Sequence, residues 1–185
     1  QLMSSKLEKS NEGYAIAKIT CLKYCEFIKE KYKKDFISVQ PANLYGEGDN
    51  FDLKSSHVLP ALVKKFSIAK KRKLKTVEIW GSGNQKREFL NVEDLASAIL
   101  FLLKKNIDPS FINIGSGEEV SIKNLALSIK KIVGYNGDII FNKDYPDGVK
   151  RRKVSTTILD NLGWKAKIKL KKGLKLYCDY YLKKI

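Results

Sequence analysis

The chain has 185 residues, with 36 Lys and Arg against 20 Asp and Glu and a formal net charge of +16. Its 43% hydrophobic content suffices for one or two small cores. No apolar run approaches the ~18–20 residues of a membrane span, residues 1–12 lack the apolar stretch of a secretory signal, and three cysteines without a second Cys or His pair argue against a disulfide framework or a metal site.

Residues 14–31, YAIAKITCLKYCEFIKEK, carry apolar positions at helical spacing. Cys21 and Cys25 lie one turn apart on this helix and are expected to be buried thiols in a reducing compartment. FISVQPANLYG (36–46) alternates, carries β-branched residues, and reads as a strand entering a loop at Pro41 and Gly46. GEGDNFD (46–52) is a polar turn. HVLPALVKKFSIAKKR (57–72) is amphipathic, and Pro60 fits only in a first turn, so the helix starts near Ser56 or His57. TVEIWG (76–81) is a short strand. VEDLASAILFLLKK (92–105) is a helix so apolar that deep burial is expected. SFINIGSG (110–117) is a strand running into a glycine turn. VSIKNLALSIKKIVG (120–134) is an amphipathic helix with Ser121 as N-cap and Gly134 as its stop. DIIFN (138–142) is a strand. A loop with PDG and a basic run (145–153), a helix ending near Leu162, and GLKLYCDYYLKK complete the chain. Alternating strands and helices place the chain in the α/β class.

The charge suits either nucleic acid or an anionic ligand such as a nucleotide diphosphate. Lysines occur throughout, and the densest cluster, KKFSIAKKRKLK (64–75), holds a single aromatic, Phe66, rather than the interleaved set that would stack bases. No nucleic-acid partner and no membrane partner is expected. A glycine turn at 81–83 lacks the spacing of a phosphate-cradling loop.

Tyr14 and Lys18, at (i, i+4), share one helix face. A nearby ammonium stabilises phenolate, so the tyrosine pKa should fall from its ordinary value of ~10 and the hydroxyl could serve as a proton donor at a carbonyl. The same spacing also fits a plain surface pair. Tyr-x-x-x-Lys followed by a strand and PANLYGEGDNF is similar to the short-chain dehydrogenase/reductase superfamily. WGSGNQKREFLNVEDLA (80–96) and INIGSGEEVSI (112–122) resemble its extended branch, which acts on nucleotide-diphosphate sugars. Together with NEGYAIAKITCLK and DNFDLKSSHVLPALVKKF, these stretches resemble the GDP-L-fucose synthases, over nearly the whole chain.

That resemblance implies C3/C5 epimerisation of GDP-4-keto-6-deoxy-D-mannose, then hydride transfer from NADPH to C4. Tyr14 would protonate the C4 oxygen. Lys18 would hold the cofactor ribose and depress the Tyr14 pKa. Pro41, Ala42, Asn43 and Leu44 match the segment beside the nicotinamide, with Ala42 where Thr is usual. His57, a simple polar cap on a bare reading, falls on the acid that reprotonates the epimerised carbon and is also placed at the cofactor. Trp80 and Arg87 match GDP-sugar contacts, though alone they read as a buried strand tryptophan and a helix-flanking arginine. Asp147 matches a loop over the guanosine, and Arg152 a diphosphate-binding cation, where the local reading is a solvated basic loop. Lys65 stands where the family has Arg, keeping the charge without the fork geometry, which bears on the sugar rather than the reaction class.

The implied architecture is the C-terminal part of a Rossmann-type parallel-sheet domain, interleaved with a small α/β sugar-nucleotide-binding domain. Residues 1–49 and 81–117 would belong to the NADP-binding domain, with the Tyr14 helix and the 92–105 helix on its sheet. Residues 50–80 and 118–185 would form the substrate-binding domain. The Gly-rich pyrophosphate loop, the serine partner of the catalytic tyrosine and the epimerase cysteine all precede Tyr-x-x-x-Lys in the family, so the sequence is expected to be the C-terminal half of a longer enzyme, and weak NADPH binding by these 185 residues alone is expected. A homodimer pairing through the Tyr14 helix and a cytoplasmic location are likewise implied. A sister C4 reductase acting on another GDP-4-keto sugar such as a heptose, and a non-catalytic sugar-nucleotide or nucleic-acid binding module, are the other readings.

Overall fold

Short strands alternate with helices, and a computed structural model describes residues 6–105 and 107–185. The chain divides into two units, residues 1–40 with 105–112, and residues 41–104 with 113–185.

In the first unit a turn of 3-10 helix leads into α1 (Glu12–Tyr32), which ends at Lys33 in the left-handed region, φ 51°. No side chain of α1 is buried. Its C-terminal half is tied down by polar contacts: Lys29 Nζ donates to the carbonyls of Ile107 and Asp108, each at 2.8 Å. The expected burial of both α1 thiols is not found: Cys21 is exposed and Cys25 only half-buried. α1 is only partly covered, along Ala15, Ile19, Leu22, Cys25 and Ile28, and Cys21 lies off that stripe. Strand β1 (Ser38–Pro41) follows, the Ser38 N–H donating to the Ser110 carbonyl at 2.8 Å.

In the second unit, β2 (Asn43–Tyr45) follows β1 after a break at Ala42, so the expected single strand is two short ones. α2 (Val58–Lys71) begins after His57, with Pro60 in its first turn, where the missing N–H costs nothing. β3 (Thr76–Trp80), β4 (Lys86–Asn91) and α3 (Val92–Leu103) come next. Then come β5 (Phe111–Ile114), which begins in the first unit, where it pairs with β1, and, in the second, β6 (Glu119–Ser121), α4 (Ile122–Val133), β7 (Asp138–Asn142), β8 (Arg151–Arg152), α5 (Thr157–Asn161) and α6 (Leu170–Leu182). β4 pairs in parallel with β2 and β8 and antiparallel with β6, while β3 and β7 pair in parallel, Thr76 opposite Asp138 through Trp80 opposite Asn142. The α/β class is thus realised with mostly parallel pairing.

The core lies among α2, α4 and α6 against β3. Leu59, Leu62, Val63, Phe66 and Ala69 from α2 meet Ile122, Leu125, Ala126, Ile129 and Val133 from α4, and Leu174, Tyr177, Cys178 and Tyr181 from α6. Those α4 positions follow the 3.6-residue period. Ser121 caps α4 by accepting the Asn124 N–H at 3.1 Å, and Gly134 stops it at φ 71°.

α3 corrects the reading of deep burial. Only Asp94, Ala98 and Leu102, one stripe at (i, i+4, i+8), are buried, while Ile99, Leu100 and Leu103 are exposed. Among the described residues no helix is long and apolar enough to cross a membrane.

Candidate functional site

In the first unit, α1 sets Tyr14 and Lys18 one turn apart, with Lys18 Nζ 5.5 Å from the Tyr14 ring centroid. The ammonium therefore sits over the ring, and Tyr14 is 62% exposed. Among the described residues neither the Tyr14 hydroxyl nor the Lys18 ammonium has a hydrogen-bond partner.

In the second unit, β2 and β4 fix the segment after Pro41. The Ala42 N–H donates to the Ile114 carbonyl at 2.8 Å, and Asn43 Nδ2 donates to the Glu88 carbonyl at 2.8 Å. Leu44 lies in β2, half-buried and paired with Leu90. The segment is thus held rigid by its own sheet, with the Asn43 amide already engaged. His57 is the N-cap residue of α2; its carbonyl accepts the Ala61 N–H at 3.1 Å, and its exposed ring makes no capping bond.

Two turns further along α2, Lys65 Nζ donates to the Glu78 carbonyl at 3.0 Å and lies 5.4 Å from the Trp80 ring centroid. Burial lowers the Lys65 pKa, partly opposed by the Glu78 carboxylate. Trp80, at the end of β3, is 57% exposed rather than a buried strand residue. Its indole stacks on Tyr145 with centroids 4.4 Å apart and planes 10° from parallel. The loop carrying Tyr145 is clamped onto the β3–β4 turn. Asp147 accepts from the Ser82 N–H at 2.5 Å and from Ser82 Oγ at 2.7 Å. These two bonds hold the Asp147 carboxyl below the usual carboxylate range. At Gly81, φ 83°, a Cβ would lie 2.5 Å from Asp147 Oδ1, so this close approach requires glycine.

Arg87 lies in β4, not beside a helix. Its Nη1 donates to the Lys86 carbonyl at 2.8 Å and to the Val149 carbonyl at 2.7 Å. Its register partner in β8 is Arg152, so the basic run at 150–153 contributes a paired strand rather than a free loop. Burial, then the Arg152 charge, push the Arg87 pKa down. Like charges directly opposite one another on a sheet are unfavourable, and among the described residues neither arginine has an ion-pair partner. Arg151, by contrast, is neutralised by Glu119, with Nη2 and Nε donating at 2.5 and 2.7 Å.

Lys65, Trp80, Arg87, Asp147 and Arg152 are therefore linked through one strand-end-and-loop assembly, with Tyr145 and Ser82 as members that the sequence reading did not single out. Two buried carboxylates, also unforeseen, fasten the segment that follows. Glu88, fully buried, accepts from the Gly117 N–H at 2.7 Å and the Val154 N–H at 3.0 Å. Asp94 accepts from the Lys167 and Ile168 N–H groups at 3.0 and 2.9 Å. Charged acceptors on backbone donors make strong bonds.

Residues 1–115 match the NAD dependent epimerase/dehydratase family. The chain is 44% identical over its full length to "Putative GDP-L-fucose synthase 2" of Arabidopsis thaliana, covering 56% of that protein. It is 47% identical over 94% of its length to a GDP-L-fucose synthase of Sinorhizobium fredii, covering 55% of it. A GDP-mannoheptose C4 reductase of Campylobacter jejuni, solved with NADP bound, superposes with a TM-score of 0.84 at 33% identity, over 97% of this chain and 62% of that one. The chain thus spans a little over half the length of the curated relatives it matches. With a family match covering more than half of its residues, the chain belongs to the NAD dependent epimerase/dehydratase family.

Proposed function

We propose that this chain carries the catalytic helix and the sugar-nucleotide site of an NADPH-dependent epimerase/reductase that converts GDP-4-keto-6-deoxy-D-mannose to GDP-L-fucose. The observation that carries this reading is the Arg87–Arg152 pair, two arginines in strand register without an ion-pair partner among the described residues, on the same assembly as an exposed tryptophan. A diphosphate relieves such repulsion, and guanidinium forks suit its oxygens. Arg87 spends Nη1 on carbonyls, which leaves its other nitrogens for an anion.

The roles follow by residue. Tyr14 donates the proton to the C4 oxygen, with the Lys18 ammonium one turn along the same helix face. The Lys18 ammonium, without a hydrogen-bond partner among the described residues, also suits ribose hydroxyls, and the rigid backbone of Pro41–Leu44 suits the face of a flat ring, so these residues fit a nicotinamide dinucleotide. NADPH, when bound, supplies the hydride. His57 returns the proton to the epimerised carbon, Trp80 and Arg87 hold the GDP-sugar, and Asp147 and Arg152 close over it. Residues 1–49 and 81–117 contribute to the cofactor domain, and 50–80 with 118–185 to the substrate domain. The whole enzyme is a cytoplasmic homodimer.

A second reading, C4 reduction of a GDP-4-keto heptose without epimerisation, is favoured by Lys65. Its ammonium is taken up by the Glu78 carbonyl, and it lacks the fork geometry of the Arg usual at this position in the family. Product stereochemistry decides. The full-length gene product, given GDP-4-keto-6-deoxy-D-mannose and NADPH, should yield the L-fuco product by NMR. Tyr14→Phe should lower C4 reduction by about 10²-fold or more, and His57→Gln should slow epimerisation first. A D-configured product would favour the second reading, and wild-type reduction by Tyr14→Phe would remove Tyr14 from the chemistry.

A further inference from the structure

The turn GEGDNFD, which precedes His57, is bound at successive residues to α6. The Gly48 N–H donates to Tyr180 Oη at 2.9 Å. The Tyr177 hydroxyl donates to Asp49 Oδ2 at 2.7 Å. The Phe51 ring packs on Tyr181 at 4.4 Å between centroids and on Tyr177 at 5.4 Å, and Tyr177 in turn meets Tyr45 edge-on at 5.8 Å. Tyr180 is itself held by Lys184, one turn on, which bonds its oxygen and lies 4.2 Å from its ring centroid.

The turn then runs on without slack to α2. Asn50 Oδ1 accepts the Asp52 N–H at 2.9 Å, and Asn50 Nδ2 donates to Ser55 Oγ at 2.9 Å. Asp52 accepts from Ser55 Oγ at 3.0 Å, and its carbonyl takes the Ser56 N–H at 2.7 Å. The next residue is His57. Every residue from 48 to 52 therefore touches α6 or hands its position on toward the cap of α2, and Gly173 lets α6 approach this closely, since a Cβ there would collide with the Tyr45 hydroxyl.

We propose that Tyr177 is a positioning residue for His57, acting through Asp49 and the 49–56 turn, so that α6 sets where the imidazole stands in the site. The inference rests on the catalytic role proposed above for His57. Burial and the Asp49 carboxylate both push the Tyr177 pKa upward, so its hydroxyl stays a donor through the neutral range. The ring belongs to the core, whereas the hydroxyl serves the turn, so Tyr177→Phe removes the turn contact and keeps the packing.

The test compares the wild-type chain with Tyr177→Phe and with Asp49→Ala, which breaks the same contact from the loop side without touching the core. His57 is the one histidine of these 185 residues, so its Cε1–H resonance is unambiguous. Amide exchange over 48–56 should speed up about tenfold or more in both variants while 63–69 changes less than twofold, and the His57 resonance should move. In the full-length protein Tyr177→Phe should slow solvent deuterium uptake at C3 and C5 about five-fold, with KM within two-fold. Unchanged exchange at 48–56, or a loosened turn with the His57 resonance unmoved, would overturn the proposal. His57→Gln separates the two readings: wild-type deuterium uptake in that variant removes the catalytic role of His57, while exchange and resonance still decide the latch.

Discussion

Two helices of this molecule differ both in how their apolar residues are distributed and in how they are buried. α1 and α4 both carry apolar residues at helical spacing, yet α4 buries five side chains and α1 buries none. α4 lies against α2 and α6 and supplies the centre of the core. α1 leaves Tyr14, Ile16, Tyr24, Phe27 and Tyr32 exposed. The apolar residues of α4 gather on one face and those of α1 do so far less, and burial follows that difference. The proposed proton donor sits on the less covered helix, while the proposed anion-binding residues sit on strands and loops of the second unit.

The sharpest way to break this comparison is by truncation on each helix. Phe66→Ala or Ile129→Ala removes a fully buried side chain and should cost about 3–5 kcal/mol in urea unfolding of the chain. Phe27→Ala on α1, 49% exposed, should cost under about 0.5 kcal/mol. Equal losses at the two places would mean that α1 is covered after all. A smaller effect is expected from Glu88→Gln. The neutral amide keeps the volume but weakens two charge-assisted bonds to backbone N–H groups, for roughly 1–3 kcal/mol; an unchanged midpoint would show that Glu88 does not brace the segment after Val154.

The smallest effect should come from Asp147. Its folded-state pKa lies below the unfolded value because Ser82 donates to the charged form twice. The stabilisation is therefore present above the unfolded pKa and is lost as pH falls through the folded one. Wild type should exceed Asp147→Asn in stability at neutral pH, and the gap should close below pH ~4, the ordinary aspartate range. A gap that persists at pH 2 would assign the difference to shape rather than charge.

Much of the architecture was legible where local signals agree. Ser121 and Gly134 bracket α4 as cap and stop, Pro60 marks the first turn of α2, and DIIFN forms β7 as read. β4 escaped because KRE opens it: three charged residues in a row look like loop, and the burial of Glu88 shows only when Gly117 and Val154 arrive from distant parts of the chain. α3 was over-read, since summed apolarity does not say how many sides find a partner. At the site, Tyr-x-x-x-Lys was visible as spacing, and the remaining candidates through resemblance. Tyr145 was not, because its partner Trp80 is far away in sequence and nothing near Tyr145 announces a stack.

The central claim is that Arg87 and Arg152 mark the diphosphate end of a sugar-nucleotide site. Calorimetric titration of GDP into the chain tests it most directly, beside Arg87→Ala, Arg152→Ala and, as a basic control on the same strands, Lys86→Ala. The account predicts saturable binding of GDP, weakened about ten-fold or more by either arginine variant and changed less than two-fold by Lys86→Ala. Equal weakening by all three would mean that the net charge of +16, rather than this pair, attracts the nucleotide, and would contradict the account.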